Sequence, residues 1–433
     1  MVKGYFQFPL KQHIGAKAAP TIVKGDKVVR GQLLASKGEN VLGANLYSSV
    51  SGVVEEVDEE QIVVRADKEQ TRDYLRLSGN KPLQLIEEAG IVGLGGAGFP
   101  TYAKLANPFT ENGIVIVNAA ECEPILEHNI TAIEKKPEQL IRGLEIVMDV
   151  VHASQGVIAI KEIHTEAIRC LEEKISNTSI RVHKLADLYP MGEERAVIRE
   201  VTGKLLGVES IPLEADMIVI NAETICRIQE AVDDKKPLID KNLTVAGKLA
   251  GDGKRIRVLE DVPIGISVGE LLEQEGGISR DCGELIMGGP FTGKRTQSDA
   301  PILKTTGGII AAECFLKGPE KIGLLVCACG ADQPRLEQLA ESMESRIVGV
   351  EYCKQAKLVR GSYKCENPGR CPGQVQKILN LKKQGAQAVL ISNCTDCTNT
   401  VMSCAPKLGL PVYHCTDGAL RAVNKKLIRK ICI

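Results

Sequence analysis

Between residues 81 and 235 the chain alternates helical and strand patterns, and this alternation constrains the fold more than any other feature. PLQLIEEAG has helical periodicity, GIVIVNAA reads as a buried strand, PEQLIRGLEIVMDVV as a helix, GVIAI as a strand and HTEAIRCLEEKI as a helix. RVHKL, EERAVIREV and MIVINA repeat the cycle. Continuous apolar strands separated by amphipathic helices specify an α/β sheet covered by helices. At 433 residues the chain is too long for one ordinary core, and three or four units of roughly 100–150 residues are expected.

The flanks differ from this stretch. Residues 8–66 carry short β segments with turns and no helical period, as in VKGDKVVRGQLL, LYSSVSGVVEEV and QIVVRAD. This unit resembles the lipoyl or biotinyl sandwich. The turn that would carry an attached cofactor holds Ser48, Ser49, Val50, Ser51 and Gly52 in place of a lysine, which disfavours a carrier role. Residues 242–310 mix strands with one helix, SVGELLEQEG, and suggest a β-grasp-like module. Residues 320–433 return to α/β, with strands at KIGLLVCACG, RIVGVEYC, AVLISNC and PVYHC that each end in cysteine.

Charge and hydropathy exclude some classes of function. The 54 Lys and Arg nearly balance 55 Asp and Glu, which argues against affinity built on a phosphate backbone. Apolar runs such as Ile114–Val117 end far short of a membrane span. The start, MVKGYFQFPLKQ, lacks a secretory pattern, so a cytoplasmic protein is expected. Of 15 cysteines, Cys122, Cys170, Cys226, Cys282 and Cys314 are scattered and read as small buried apolar residues. The other ten lie between Cys327 and Cys432, a density that points to redox or metal chemistry in a large intracellular chain. Cys432 and Cys415 fit a structural role. The basic run Asn424–Lys430 reads as a solvated helix face, with a docking patch as the alternative.

Candidate site residues begin at Gly93-Leu94-Gly95-Gly96-Ala97-Gly98-Phe99-Pro100-Thr101. The GxGxxG string alone is weak evidence. A helix precedes it where a strand is required, and Phe-Pro is expected to interrupt the helix that should follow, so it is not a dinucleotide fingerprint. Dense glycines still let backbone N–H groups converge on an anion, with Lys104 supplying charge; a tight structural turn is the alternative. Asn118-Ala119-Ala120-Glu121-Cys122-Glu123-Pro124 follows the next strand. Tyr189-Pro190-Met191-Gly192-Glu193-Glu194-Arg195 opens a helix, and Asn221-Ala222-Glu223-Thr224 follows another strand. Each cluster has a plain reading as helix caps or first-turn acids. Together, at the strand ends of one sheet, they describe a site.

GLGGAGFPTYAKL, NAAECEP, YPMGEERAV and NAET resemble the FMN/NADH-site motifs shared by RnfC proteins and the flavin subunit of respiratory complex I. The resemblance implies a multidomain α/β plus β fold: a lipoyl-like β-sandwich (1–78), an FMN/NADH-binding α/β domain (79–238), a soluble-ligand-binding (SLBB) β-grasp-like domain (239–315) and a Cys-rich α/β redox domain (316–433). It implies that Gly93, Gly95, Gly96, Gly98, Lys104, Asn118, Tyr189, Gly192, Asn221 and Thr224 surround FMN, with Phe99 near the adenine of NADH. Glu121, Glu123, Glu193 and Glu194 would line the flavin and nicotinamide pocket. Ala120 stands where the complex I motif carries a further acid. The implied activity is that of an FMN-dependent NADH dehydrogenase subunit.

RnfC proteins end in C-x₂-C-x₂-C-x₃-C-P ferredoxin runs, and this chain has none. It carries instead Cys327, Cys329, Cys353, Cys365, Cys371, Cys394, Cys397, Cys404 and Cys415. One exit for electrons is a dithiol of Cys394 and Cys397 at a helix N-terminus, where a thiol pKa falls. The other is an iron–sulfur cluster on Cys327, Cys329, Cys353, Cys394 and Cys397, a region similar to the iron–sulfur delta-subunit family of hydrogenases. An RnfC-like chain with such a tail resembles the PrdC-like electron-transfer proteins associated with D-proline reductase, which makes that reductase the implied partner. The competing reading is a non-catalytic scaffold or adaptor subunit of an RnfC-type complex.

Overall fold

The computed structural model describes residues 4–96, 98–176, 178–251 and 253–429. Cys432 and Lys430 lie outside the described residues. The first unit contains a four-stranded antiparallel sheet that pairs Tyr5–Pro9 with Gln61–Ala66, Gln61–Ala66 with Gly52–Val57, and Gly52–Val57 with Lys27–Val28. A smaller sheet of Ala19–Pro20, Leu33–Ser36 and Leu46–Tyr47 completes it. Alternation drives the burial: Phe6 and Phe8 turn inward while Tyr5, Gln7 and Pro9 are only partly covered. These phenylalanines share one apolar core with Leu243, Val245, Val262 and Ile309 of the third unit. The turn at Ser48 and Ser49 is buried, and Ser49 Oγ donates to the Ile264 carbonyl at 2.5 Å. It therefore serves as a packing surface between units.

The second unit is a parallel sheet in the order Ile180–Leu185, Ala153–Lys161, Gly113–Ala119, Met217–Asn221. Pro137–Val151 forms a helix because Leu140, Ile141, Leu144, Val147, Met148 and Val151 recur at helical spacing and bury one face. It stops at His152, which takes a left-handed conformation. Gly143 lets this helix approach Ala222–Asp233, since a Cβ there would stand 2.2 Å from the Ile225 carbonyl oxygen. Ala222–Asp233, His128–Lys135 and Thr101–Leu105 are helices the periodicity did not reveal. The last begins directly after Pro100, so Phe-Pro does not interrupt the helix start; Pro100 occupies the N-cap, where no N–H is needed.

The third unit is a five-stranded mixed sheet with one helix, Val268–Gln274, capped by Ser267. The fourth is a parallel sheet in the order Arg346–Tyr352, Lys321–Val326, Ala388–Ile391, Val412–His414, with an added hairpin of Ala356–Val359 and Ser362–Cys365. Its final helix, Asp417–Ala422, returns to the third unit, where Ala419 and Leu420 pack with Ala246, Ile286 and Ile310. The expected C-terminal helix face does not form: the helix ends at Ala422, Lys425 pairs with Glu127 at 3.1 Å, and Arg429 pairs with Asp417. Among the described residues no helix is long and apolar enough to cross a membrane.

Candidate functional site

From Gly113–Ala119 the second sheet grows outward through the strands at 153 and 180, then the chain returns to place Met217–Asn221 on the opposite side. The strand order thus reverses between Gly113–Ala119 and Met217–Asn221, and a crevice opens beyond the carboxyl ends of strands at such a point. Asn118 and Asn221 are register partners at this position. A cleft of about 320 Å³ lies here.

Gly93, Gly95, Gly96, Phe99, Lys104, Asn118, Glu121, Glu123, Gly192, Glu194, Asn221 and Thr224 all line the cleft. The glycine loop is tied down by Leu94 N–H donating to Thr224 Oγ1 at 3.0 Å, and Asn221 caps the following helix by accepting from the Glu223 and Thr224 N–H groups at 3.0 and 3.3 Å. Gly95 lies so close to Asn221 that a Cβ would meet that side chain at 3.2 Å. Lys104 pairs with Glu194 at 2.9 Å and donates to the Val219 carbonyl at 2.6 Å. Asn118 Nδ2 donates to the Gly192 carbonyl at 2.8 Å, joining the strand end to the YPMGEE loop.

Three expected residues stand elsewhere. Gly98 packs against Gln12 and His13 of the first unit. Glu193 caps its own helix by accepting from Ala196 N–H at 2.8 Å, and burial raises its pKa. Tyr189 is buried on the far side of its loop, its ring stacked on Phe291 at 3.6 Å and its hydroxyl donating to the Cys329 carbonyl. Burial pushes the Tyr189 phenol well above its ordinary range.

Sequence reasoning missed other lining residues. Glu123 accepts from Phe291 N–H and Thr292 N–H at 2.8 and 2.9 Å and from Thr292 Oγ1 at 2.6 Å, so the third unit forms a wall of the cleft. Gly289 permits this approach: a Cβ there would fall 2.3 Å from Glu123. The Gly288-Gly289-Pro290 string was the available signal. Burial raises the Glu123 pKa, with the Thr292 and Phe291 donors opposing the shift. Cys122 is no scattered core residue; it lines the cleft, accepts from Gly192 N–H at 3.2 Å, and burial pushes its thiol up to about 12. Asn129 lines the cleft with its Oδ1 buried and without a hydrogen-bond partner. Such an orphaned acceptor fits a ligand that brings an N–H group.

The cysteines form a second centre. Parallel strands place Cys327, Cys353, Cys394 and Cys415 at one rim of the fourth sheet. Thiol contacts join Cys329 to Cys327 and Cys365, Cys353 to Cys327, and Cys394 to Cys327 and Cys397. Cys397 also meets Cys371, and its Sγ lies 4.0 Å from that of Cys353. Cys415 and Cys404 lie outside this chain of thiols; Cys415 contacts His414, and Cys404 contacts the Val401 carbonyl. The structure therefore brings together Cys327, Cys329, Cys353, Cys394 and Cys397 and adds Cys365 and Cys371. Thiol neighbours hold Cys394 well below its ordinary range and Cys397 above it.

Thiolates are the usual ligands of iron–sulfur clusters, and a thiol-rich rim of this composition is consistent with that role as well as with a dithiol. The buried Gln374 amide nitrogen sits 3.2, 3.4 and 3.6 Å from the sulfurs of Cys353, Cys371 and Cys397 and fills the space between them. Among the described residues, no group of three or more His, Cys, Asp or Glu is placed to hold a metal ion.

The two centres share structural parts. Thr395, beside Cys394, exchanges hydrogen bonds with the Tyr189 backbone, its N–H donating at 3.2 Å and its Oγ1 accepting at 3.1 Å. Arg195 donates to the carbonyls of Cys365 and Glu366 at 2.5 and 2.8 Å, and Arg199 to Asn367 and Pro368 at 2.6 and 2.7 Å. The YPMGEER segment thus faces the cleft on one side and the thiols on the other.

Residues 1–71 match the RnfC barrel sandwich hybrid domain, and residues 86–230 match the Nuo51 FMN-binding domain. The chain is 31% identical over 321 residues to one subunit of the proton-translocating ferredoxin:NAD(+) oxidoreductase complex of Clostridium ljungdahlii, covering 70% of this chain and 69% of that protein. It belongs to the RnfC-like family. The match to the corresponding subunit of the Na(+)-translocating ferredoxin:NAD(+) oxidoreductase complex of Acetobacterium woodii is 32% identical and covers 72% of this chain and 74% of that protein. Cobalamin reductase PduS of Salmonella typhimurium is 36% identical over 54% of this chain and 51% of its own length. As an RnfC-like protein the chain is an oxidoreductase-type electron-transfer subunit, and most of the residues that line the cleft belong to its FMN-binding domain, with the third unit closing one wall.

Proposed function

We propose that this RnfC-like chain oxidises NADH at FMN held in the cleft and passes the electrons through the thiol-rich rim to a partner reductase. The carrying observation is the shared wall: Glu123, Phe291, Tyr189 and Cys329 are in consecutive contact from cleft to thiols. The glycine loop and Lys104 would hold the phosphate, through converging N–H groups and one ammonium. To do so Lys104 must turn from Glu194 toward the ligand. Asn118, Asn221 and Asn129 offer amide groups for the ring edges, and Phe99, partly exposed at the mouth, offers a face for adenine. When bound, FMN supplies hydride acceptance from NADH and release of electrons onward; the chemistry is the cofactor's, and the protein sets geometry and environment. Glu123, shielded by three donors, keeps its charge off the ring site without leaving the cleft wall.

A chain without a membrane-spanning helix among its described residues fits a cytoplasmic acceptor, and D-proline reductase is the acceptor that the tail arrangement favours. The mixed third unit, read as a β-grasp-like SLBB module, supplies the cleft wall at Gly289 and Thr292. The test is anaerobic purification, reconstitution with FMN, and absorption spectra before and after NADH. A flavin band that NADH bleaches supports the reading. Failure to bind flavin after reconstitution overturns it and leaves the non-catalytic scaffold.

A further inference from the structure

The paired cysteines of the ISNCTDC segment cannot meet a partner protein. Cys394 and Cys397 are each 3% exposed, and Cys327 and Cys353 are equally enclosed. Electrons arriving at these thiols therefore need a member of the chain that reaches the surface. Cys329 and Cys371 are the two partly exposed members, and Cys371 is the one joined directly to Cys397. It is half-buried and opens on a surface cavity of about 450 Å³ whose walls include Leu188, Met191, Glu200, Arg370 and Asp396.

Several contacts hold Cys371 in register with the buried thiols. Its N–H donates to Asp396 Oδ2 at 2.6 Å, so the first turn of the helix that carries Cys397 grips the Cys371 loop. Its sulfur contacts Cys397, and the Gln374 amide bridges both at 3.4 and 3.6 Å. Thr400 Oγ1, on the same helix, lies 3.3 Å from the Cys371 sulfur. On its other side, Gly369 takes a left-handed φ of +77° and lies against Met191, beside the Gly192 wall of the cleft. The loop is thus fixed from both the thiol helix and the flavin side.

We propose that Cys371 and Cys397 form the redox-active dithiol of this chain, and that the cavity at Cys371 is the port where a disulfide on a partner protein is reduced. The Cys371 thiolate attacks one sulfur of the partner disulfide, forming a mixed disulfide and releasing the partner's other sulfur as thiolate. The Cys397 thiolate then attacks the Cys371 sulfur, forming the Cys371–Cys397 disulfide and releasing the partner's second thiol. Two protons pass to the partner, which is now a dithiol. Two electrons from NADH, by way of the flavin, and two protons restore the pair; for this supply alone the proposal rests on the FMN and NADH reading.

The experiment uses the full chain reduced with dithiothreitol, then freed of reductant, with oxidised glutathione as the disulfide probe and peptide mass mapping as the readout. Native protein should form a Cys371–Cys397 disulfide with no lasting glutathione adduct. Cys397→Ser should trap glutathione on Cys371, Cys371→Ser should form neither product, and Cys394→Ser should behave as native protein. Thermal melting of each variant checks folding, and native protein alone decides between a Cys371–Cys397 and a Cys394–Cys397 bond. A Cys394–Cys397 bond overturns the proposal, as does absence of the Cys371 adduct from folded Cys397→Ser. Iron and acid-labile sulfide that co-purify anaerobically and are lost in Cys397→Ser overturn it too, by making that thiol a cluster ligand. None of these arms needs flavin. If the Cys371–Cys397 bond forms and NADH with FMN leaves it oxidised, the flavin reading falls and the port stands.

Discussion

Asn221 carries several tasks with one short side chain. It ends a strand, caps the next helix, and supports the close approach of Gly95 at the mouth of the cleft. Loss of such a cap costs about 1 kcal/mol, so Asn221→Ala should lower stability by about that amount in a denaturant titration and should also weaken FMN retention after gel filtration. Cys122 makes a second residue-level prediction. With its thiol pushed up to about 12 by burial, it stays protonated near neutrality; only thiolates alkylate readily. Iodoacetamide at about pH 7.5 should therefore modify exposed Cys314 well before Cys122, as peptide mapping would show. NAAECEP and NAET marked the cleft in the sequence because polar residues after an apolar strand stand out. Asn129 did not, because its lone unpaired oxygen is a product of three-dimensional packing.

The helix Glu194–Thr202 is the element on which both centres depend. Its amphipathic period made it legible, and Glu193 and Glu194 marked its start. The sequence did not show what its two faces would meet. Arg195 is buried and donates to the carbonyls of Leu206, Cys365 and Glu366. Arg195→Met leaves these acceptors unpaired, with an expected loss of about 3 kcal/mol in equilibrium unfolding. Flavin binding should persist in the folded variant, while re-reduction of an oxidised thiol pair by NADH should slow, a difference that stopped-flow absorbance would resolve. The hairpin of Ala356–Val359 and Ser362–Cys365 was invisible beforehand because its strands are only four residues each and mostly exposed, with no clear inside–outside alternation, yet it delivers Cys365 to the rim. Cys365 was counted but not placed for the same reason, and Cys371 because it lies on the irregular segment between that hairpin and the helix that begins at Val375.

At the scale of the whole molecule, Lys304 joins three units: its ammonium donates to the Asn45 and Gly90 carbonyls at 2.6 and 2.8 Å from a fully buried position. Burial pulls its pKa from 10.5 down to about 7. Below the lower value both folded and unfolded chains hold the proton, and the folded state bears the full cost of a buried charge. Between the two values the folded chain has released a proton that the unfolded chain retains, so stability rises with pH through this window and falls as pH drops through about 7. Lys304→Met removes that slope. Its melting temperature relative to native protein should be highest near pH 6 and decline toward about pH 9, measured by calorimetry in matched buffers. The α/β and β character of the four units was readable from periodicity, because that signal is local. Their shared cores were not, because Phe6 and Val245 declare themselves apolar without naming each other.

The segment from Asp187 to Arg199 has an implication for protein engineering. A tail of this kind could not be transplanted onto another flavin subunit as a free-standing cassette, because part of its seat, Tyr189, Arg195 and Arg199, is encoded inside the donor's flavin domain. A working chimera would have to exchange that inner segment together with the tail, and lineages that acquired such a tail would be expected to show both pieces changing as one heritable block.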